Sequence, residues 1–262
     1  MLLKGKIKSL FEFYKQSINN QKFILIFILL FIASLYGVFG LAQHHAMQID
    51  YLTGILNIFL NNYYVTIIVF ITFLNTFNIY NVFSENINYI IRLKSKKNYL
   101  IELIKNIIFS NTMLLLVNLA LILIGLNIFN KFDISSVYYY YNLPSIVYII
   151  YLLIKQIIII NFLSVIIILL AKIMNEKISF LIGIVICAFI LSSSFDAGLV
   201  INSIFKLPLF IGSYLLSYNY GSFVFEIICF IIYCLILYIF IIGLVKLAIK
   251  FMKAVIEWSN MF

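Results

Sequence analysis

The sequence predicts an all-α integral membrane protein. It has six transmembrane helices, an N-terminal amphipathic helix in the membrane interface, and broken, re-entrant helices between spans 5 and 6. Three observations carry this reading. Hydrophobic residues make up 65% of the 262 positions and charged residues only 10%, against about 25% charged in a soluble domain. The apolar residues gather in runs of about twenty, which at about 1.5 Å rise per residue match a hydrocarbon core of about 30 Å. The runs are continuous, unlike the alternating segments of roughly ten residues in a transmembrane barrel, and only two prolines interrupt the chain.

Residues 1–22 place Leu3, Ile7, Leu10, Phe11, Tyr14 and Ile18 at three- and four-residue steps, with Lys4, Lys8, Glu12 and Lys15 opposite. That pattern predicts a helix lying in the membrane interface on the cytoplasmic side. Span 1 is Phe23–Ala42, too long for the apolar region of a cleaved signal, which runs to about 7–15 residues. Tyr51–Leu60 is a short apolar piece, read as interfacial because Asn61 and Asn62 interrupt it. Spans 2 to 4 follow at Tyr63–Phe83, Asn106–Leu126 and Tyr151–Ile173. Span 5, Ile178–Ser193, is short, and span 6 is Phe223–Val245. Between them, residues 194–222 are apolar but broken by Lys206, Pro208 and Gly212. Irregular backbone at membrane depth needs shelter within protein, hence the re-entrant reading. No linker or repeat divides the chain, so residues 1–262 read as one transmembrane domain.

Charge sets the expected orientation. Segments 1–22, 83–105, 171–177 and 246–262 hold 15 of the 18 Lys and Arg residues; Lys131, Lys155 and Lys206 are the rest. Basic residues concentrate on cytoplasmic loops, so both termini are expected inside and the span count even. The tyrosines at 138–141, with Tyr148 and Tyr151, mark the outer interface, where an apolar ring and a wet hydroxyl are both accommodated. The net charge of +9 is explained by this bias without nucleic acid.

Recognisable catalytic chemistry is absent from the sequence. There is no G-x-x-x-x-G-K-[ST] phosphate loop, no H-E-x-x-H and no G-x-S-x-G. His44 and His45 are adjacent, so they cannot share a helix face, and a polar loop pair is expected rather than a metal site. Cys187, Cys229 and Cys234 lie in apolar runs, where cysteine acts as a small hydrophobe. Two ionisable residues fall inside spans: Lys155 near the outer end of span 4 and Glu226 near the outer end of span 6. They read as a polar lining of a path, as a pair across the bundle, or as two side chains snorkelling to headgroups.

The stretch Glu85–Lys105, ENINYIIRLKSKKNYLIELIK, contains the only arginine and five of the 18 basic residues. Ser84 followed by Glu85 suggests a helix start, with a capping hydroxyl and an acid in the first turn. Ile87, Ile90 and Ile91 supply an apolar face. Arg92, Lys94, Lys96 and Lys97 then form a basic turn, and Lys105 opens span 3. A loop that only sets topology is the simpler alternative.

This run resembles the cytoplasmic connection of type 2 ATP-binding-cassette exporter permeases, six-span proteins that pair with separate ATPase subunits. In that family an acidic residue ends the second span; a short helix, a basic turn and a lysine at the third span follow. Here Glu85, the helix around Ile87–Ile91, Arg92–Lys97 around Ser95, and Lys105 correspond; Leu93 stands where a proline is frequent. The resemblance implies that residues 84–105 are a coupling segment seated on an ATPase subunit, contacted through Glu85, Arg92, Lys94, Lys96, Lys97 and Lys105. It also implies two ATPase copies that bind ATP and Mg, a second permease chain (identical or a sister), and no catalysis by this chain itself. The expected substrate is an amphipathic peptide, such as a bacteriocin or toxin, or a lipophilic drug, exported across a bacterial cytoplasmic membrane. The alternative from another class is a non-transporting membrane immunity or scaffold protein that sequesters a peptide or partner.

Overall fold

The computed structural model describes residues 21–41, 51–85, 96–129, 139–140, 143–192 and 222–259, and they are almost entirely helical. Helix α1 is Gln21–Tyr36, continued by a π-helical turn at Gly37–Leu41. Then come α2 (Tyr51–Leu60), α3 (Asn62–Glu85) and α4 (Lys96–Phe129). A two-residue antiparallel ladder, β1 (Tyr139–Tyr140) with β2 (Leu143–Pro144), leads into α5 (Ser145–Ile173). Helices α6 (Glu176–Ser192) and α7 (Phe223–Ser259) complete the order. Among the described residues five helices are long and apolar enough to cross a membrane: Gln21–Gly40, Tyr63–Ser84, Lys97–Ile128, Ile146–Ile173 and Phe223–Phe251. The chain is therefore a multi-pass membrane protein. The segment predicted as span 5 is helical as α6, at 17 residues.

Helix α5 is the hub. It packs against α2, α3, α4, α6 and α7. Of the most apolar stretch of each helix, 72% is buried in α5 and 22% in α7. A helix apolar on every side suits a central position, and the α5 run from Ile157 to Leu170 is broken only by Asn161 and Ser164 among Ile, Leu, Val and Phe. Helix α7 buries a narrow seam instead: Glu226, Phe230, Tyr233, Leu237, Leu244 and Ala248 are buried while their neighbours face outward. Those steps of three, four and seven keep one stripe on one partner.

Local chemistry fixes the helix starts. Asn61 Oδ1 accepts from the Tyr63 and Tyr64 amides at 3.0 and 3.2 Å, capping α3. Asn175 Oδ1 accepts from the Lys177 amide at 3.1 Å, and Glu176 adds an acid to the first turn of α6. Close approach needs small residues where α1 and its π turn cross the bundle. A Cβ at Gly125 would meet Val38 at 2.9 Å, and one at Gly37 would meet Tyr64 at 3.0 Å.

Several expectations are corrected. Tyr51–Leu60, expected at the interface, is packed into the bundle with Ile55, Leu56, Ile58 and Phe59 buried; Asn61 caps the next helix rather than marking a surface. Ser84 and Glu85 do not start a helix but end α3. The Ser84 hydroxyl donates back to the Asn81 carbonyl at 2.9 Å, as a serine in a helix does. Span 3 begins nine residues before Asn106, because Leu100, Leu103 and Ile107 already share a buried face and the charged residues take the other. Tyr148, expected at the water interface, is fully enclosed by protein. The N-terminal amphipathic segment up to residue 20, His44–His45, the helix at 87–91, Arg92–Ser95, Lys131 and the broken segment 194–221 lie outside the described residues.

Candidate functional site

Lys155 and Glu226 meet. Lys155 occupies the buried face of α5 with Tyr148, Leu152 and Ile159, at the four- and three-residue steps that place side chains above one another. Glu226 lies in the first turn of α7, where the helix dipole favours a carboxylate. Lys155 Nζ donates to Glu226 Oε1 at 2.7 Å, and both side chains are 0% exposed. The headgroup reading is thereby excluded: neither group reaches a surface, and the pair ties α7 to α5. Lys155 Nζ also stands 5.3 Å from the centre of the Tyr151 ring, and that ring meets Phe223 edge-on at 5.1 Å. Glu226 Oε2 is buried with no hydrogen-bond partner among the described residues. Charge at this depth is costly unless paired, so the geometry is that of one neutralised unit.

A second polar cluster lies halfway along three spans. Asn75 of α3 donates through Nδ2 to Ser110 Oγ and to Asn111 Oδ1 of α4, both at 2.9 Å. Asn111 Nδ2 in turn donates to Thr76 Oγ1 and to Ser164 Oγ of α5, both at 3.0 Å. A third cluster joins α1, α3 and α4: Ser34 Oγ and Tyr64 Oη both donate to Asn118 Oδ1, at 3.0 and 2.8 Å. The Ser179 hydroxyl donates to the Ile167 carbonyl and binds α6 to α5. Inside a bilayer each buried polar group must find a partner in the protein, and these side chains fix which helices neighbour which.

At the basic end, α3, α4 and α5 are joined by a cation held against aromatic rings. Lys172, in the last turn of α5, places Nζ 4.4 Å from the Tyr80 ring centre and 5.1 Å from that of Tyr99. Phe83 and Tyr99 are themselves 5.1 Å apart. Replacing Lys172 with Met keeps the apolar stem and removes both cation–ring attractions. It is expected to lower stability in detergent by about 1 kcal/mol, read as the thermal unfolding midpoint; an unchanged midpoint would mean that the cation does not clamp the three helices.

The residues expected to form the coupling segment divide. Glu85 closes α3 and Lys96 opens α4; Arg92 and Lys94 lie outside the described residues. Lys97 is exposed in the first turn of α4. Lys105 is also exposed and pairs with Glu102 of its own helix at 2.8 Å. Such a surface pair contributes little, and it leaves the cation facing away from the bundle. The sequence reading missed Lys172, Tyr80 and Tyr99. Their signal was a lysine at the basic end of one span with a tyrosine near the same end of two others. It missed the Asn75–Asn111–Ser164 cluster as well, although these are the central polar interruptions of their spans. Comparisons with protein-family models, with curated proteins and with solved structures find no match for this chain.

Proposed function

We propose that this chain is the permease subunit of an ATP-driven exporter of the type 2 ATP-binding-cassette class. It lies in a bacterial cytoplasmic membrane with both termini inside and moves an amphipathic peptide or a lipophilic small molecule outward. The observation that carries the reading is the junction of the basic connection with the bundle. The connection leaves α3 at Glu85 and enters α4 at Lys96. Next to it Tyr80, Phe83 and Tyr99 gather around Lys172 of the central helix. A push on the connection is thus delivered to α5, which touches most of the other helices. ATP can drive such a cycle only if the closed ATPase pair favours one arrangement of the spans over the other.

In this reading α6, about 26 Å long at 1.5 Å per residue, is the sixth crossing that two cytoplasmic termini require. Residues 84–105 seat on an ATPase subunit, which holds the ATP and Mg. The assembly has two ATPase copies and a second permease chain. Lys155 and Glu226 belong to the outer part of the path. One observation favours the second reading, a non-transporting immunity or scaffold protein: the Lys155–Glu226 pair is wholly enclosed, as in a static core.

Affinity purification from native membranes distinguishes the two. The exporter reading expects an ATP-binding-cassette ATPase to co-purify, and the variant Arg92→Ala, Lys94→Ala, Lys96→Ala, Lys97→Ala to lose it about tenfold, equivalent to about 1.4 kcal/mol of association. Absence of any such ATPase from the wild-type preparation, or its equal recovery with the variant, would refute the coupling role.

A further inference from the structure

A crevice of about 210 Å³ lies between the end of α2, α3, α4 and α5. Its walls are apolar: Phe59, Val65, Ile68, Leu115, Leu119 and Ile157 are among them. The polar side chains that touch it make bonds within the protein. Tyr64 donates to Asn118 Oδ1, and Gln156 Nε2 donates to the Phe59 carbonyl at 2.9 Å. No charged side chain lines it. On α5 the lining runs from Ile150 to Ile160, a rise of about 15 Å, so the crevice is elongated along the helix.

Its mouth is on the outside of the bundle. Leu116, Ile150 and Ile154 line it and are each about half exposed. All three lie within membrane-crossing segments, so the mouth meets hydrocarbon rather than water. An apolar space of this kind stays dry, and one of about 150 Å³ already accepts a benzene ring. Pockets for drug-sized ligands begin at about 300 Å³, which makes this one too small for a peptide. Long, narrow, uncharged and open sideways to the bilayer, it matches one alkyl chain.

We infer that the crevice is a specific binding site for one acyl chain of a membrane lipid, inserted laterally between α4 and α5. Since lipid tails are as apolar as leucine, selectivity for the site over the general lipid shell comes from enclosure and dispersion contacts. The inference does not depend on the export function.

The test uses the full chain in vesicles of phosphatidylethanolamine and phosphatidylglycerol. A trace of phosphatidylglycerol carries a photoreactive diazirine on its acyl chain, and adducts are mapped by peptide mass spectrometry. Adducts at Leu119, Leu153 and Ile157 are expected to saturate as the labelled fraction rises, while those at Ile231 and Ile239 on the outer face of α7 rise in proportion. Ile157→Trp, which fills the crevice, is expected to lower the crevice adducts about tenfold; Ile239→Trp leaves them unchanged. Should Ile157→Trp misfold, the saturation measurement on the wild type decides alone. Crevice labelling that rises in proportion like that of α7, or that survives Ile157→Trp, would overturn the site.

Discussion

Replacing Glu226 with alanine is expected to destabilise the protein by about 3–5 kcal/mol, the usual cost of breaking a buried ion pair by removing one partner. The cost is mostly that of the lysine left behind. Lys155 is 0% exposed and lies on the buried face of α5 with Tyr148, Leu152 and Ile159, so it cannot reach headgroups without pulling α5 apart from α7. Lys155→Ala is expected to cost a similar amount, because the buried Glu226 would be left with neither oxygen paired. The double variant Lys155→Met, Glu226→Leu should behave differently. Apolar pairs of similar volume are often neutral or more stable by about 1–4 kcal/mol than the buried ions they replace, so its unfolding midpoint in detergent should equal or exceed that of the wild type. This separates structure from transport. If the double variant is stable and export is lost, the charges serve the path; if export persists, they serve only the register of α7 on α5. A stable Glu226→Ala variant would mean that the enclosed pair is not formed in the membrane.

Asn111→Leu is expected to cost about 2 kcal/mol, taking about 0.6 kcal/mol for each of its three interhelical hydrogen bonds. Asn111 joins Asn75, Thr76 and Ser164, so one substitution loosens α3, α4 and α5 together. Leucine matches asparagine in branching and in side-chain heavy atoms and is more welcome in lipid, and an expected loss in spite of that points to a hydrogen-bonding role rather than mere space filling. Asn127 supplies the control. It is exposed on the same helix and donates to the Leu123 carbonyl one turn back, at 2.7 Å; Asn127→Leu should change stability by less than about 0.5 kcal/mol. Equal effects of the two substitutions, measured by unfolding in mixed micelles, would dismiss the central cluster as a determinant of helix arrangement.

Much of this architecture is legible in the sequence because membrane insertion is governed by length and polarity. The starts of spans 2 and 6 at Tyr63 and Phe223 and the end of span 4 at Ile173 follow from where apolar runs meet polar residues, whereas span 6, expected to end at Val245, runs on past Lys246 to Phe251. What periodicity could not give is the facing of each helix. In α5 nearly every residue is apolar, so the stripe of Tyr148, Leu152, Lys155 and Ile159 carries no contrast with its neighbours. Lys155 and Glu226 stood out as costly residues, yet whether they paired depended on the rotation of two helices, which only the packing reveals. Ser84–Glu85 misled for a different reason: a serine followed by an acid suits a helix start, but serine serves equally within a helix by bonding back to the preceding turn. Tyr148 misled because tyrosine is enriched at interfaces on average, and here packing encloses the ring.

The central claim is that the basic bend between α3 and α4 faces the cytoplasm and is gripped there by an ATPase subunit. Its most direct test is Lys94→Cys in a chain whose Cys187, Cys229 and Cys234 are replaced by alanine, probed with a membrane-impermeant maleimide. The account predicts no labelling in intact cells, rapid labelling in inside-out vesicles stripped of peripheral proteins, and protection when the ATPase is restored. Labelling from outside intact cells would contradict both the topology and the coupling role.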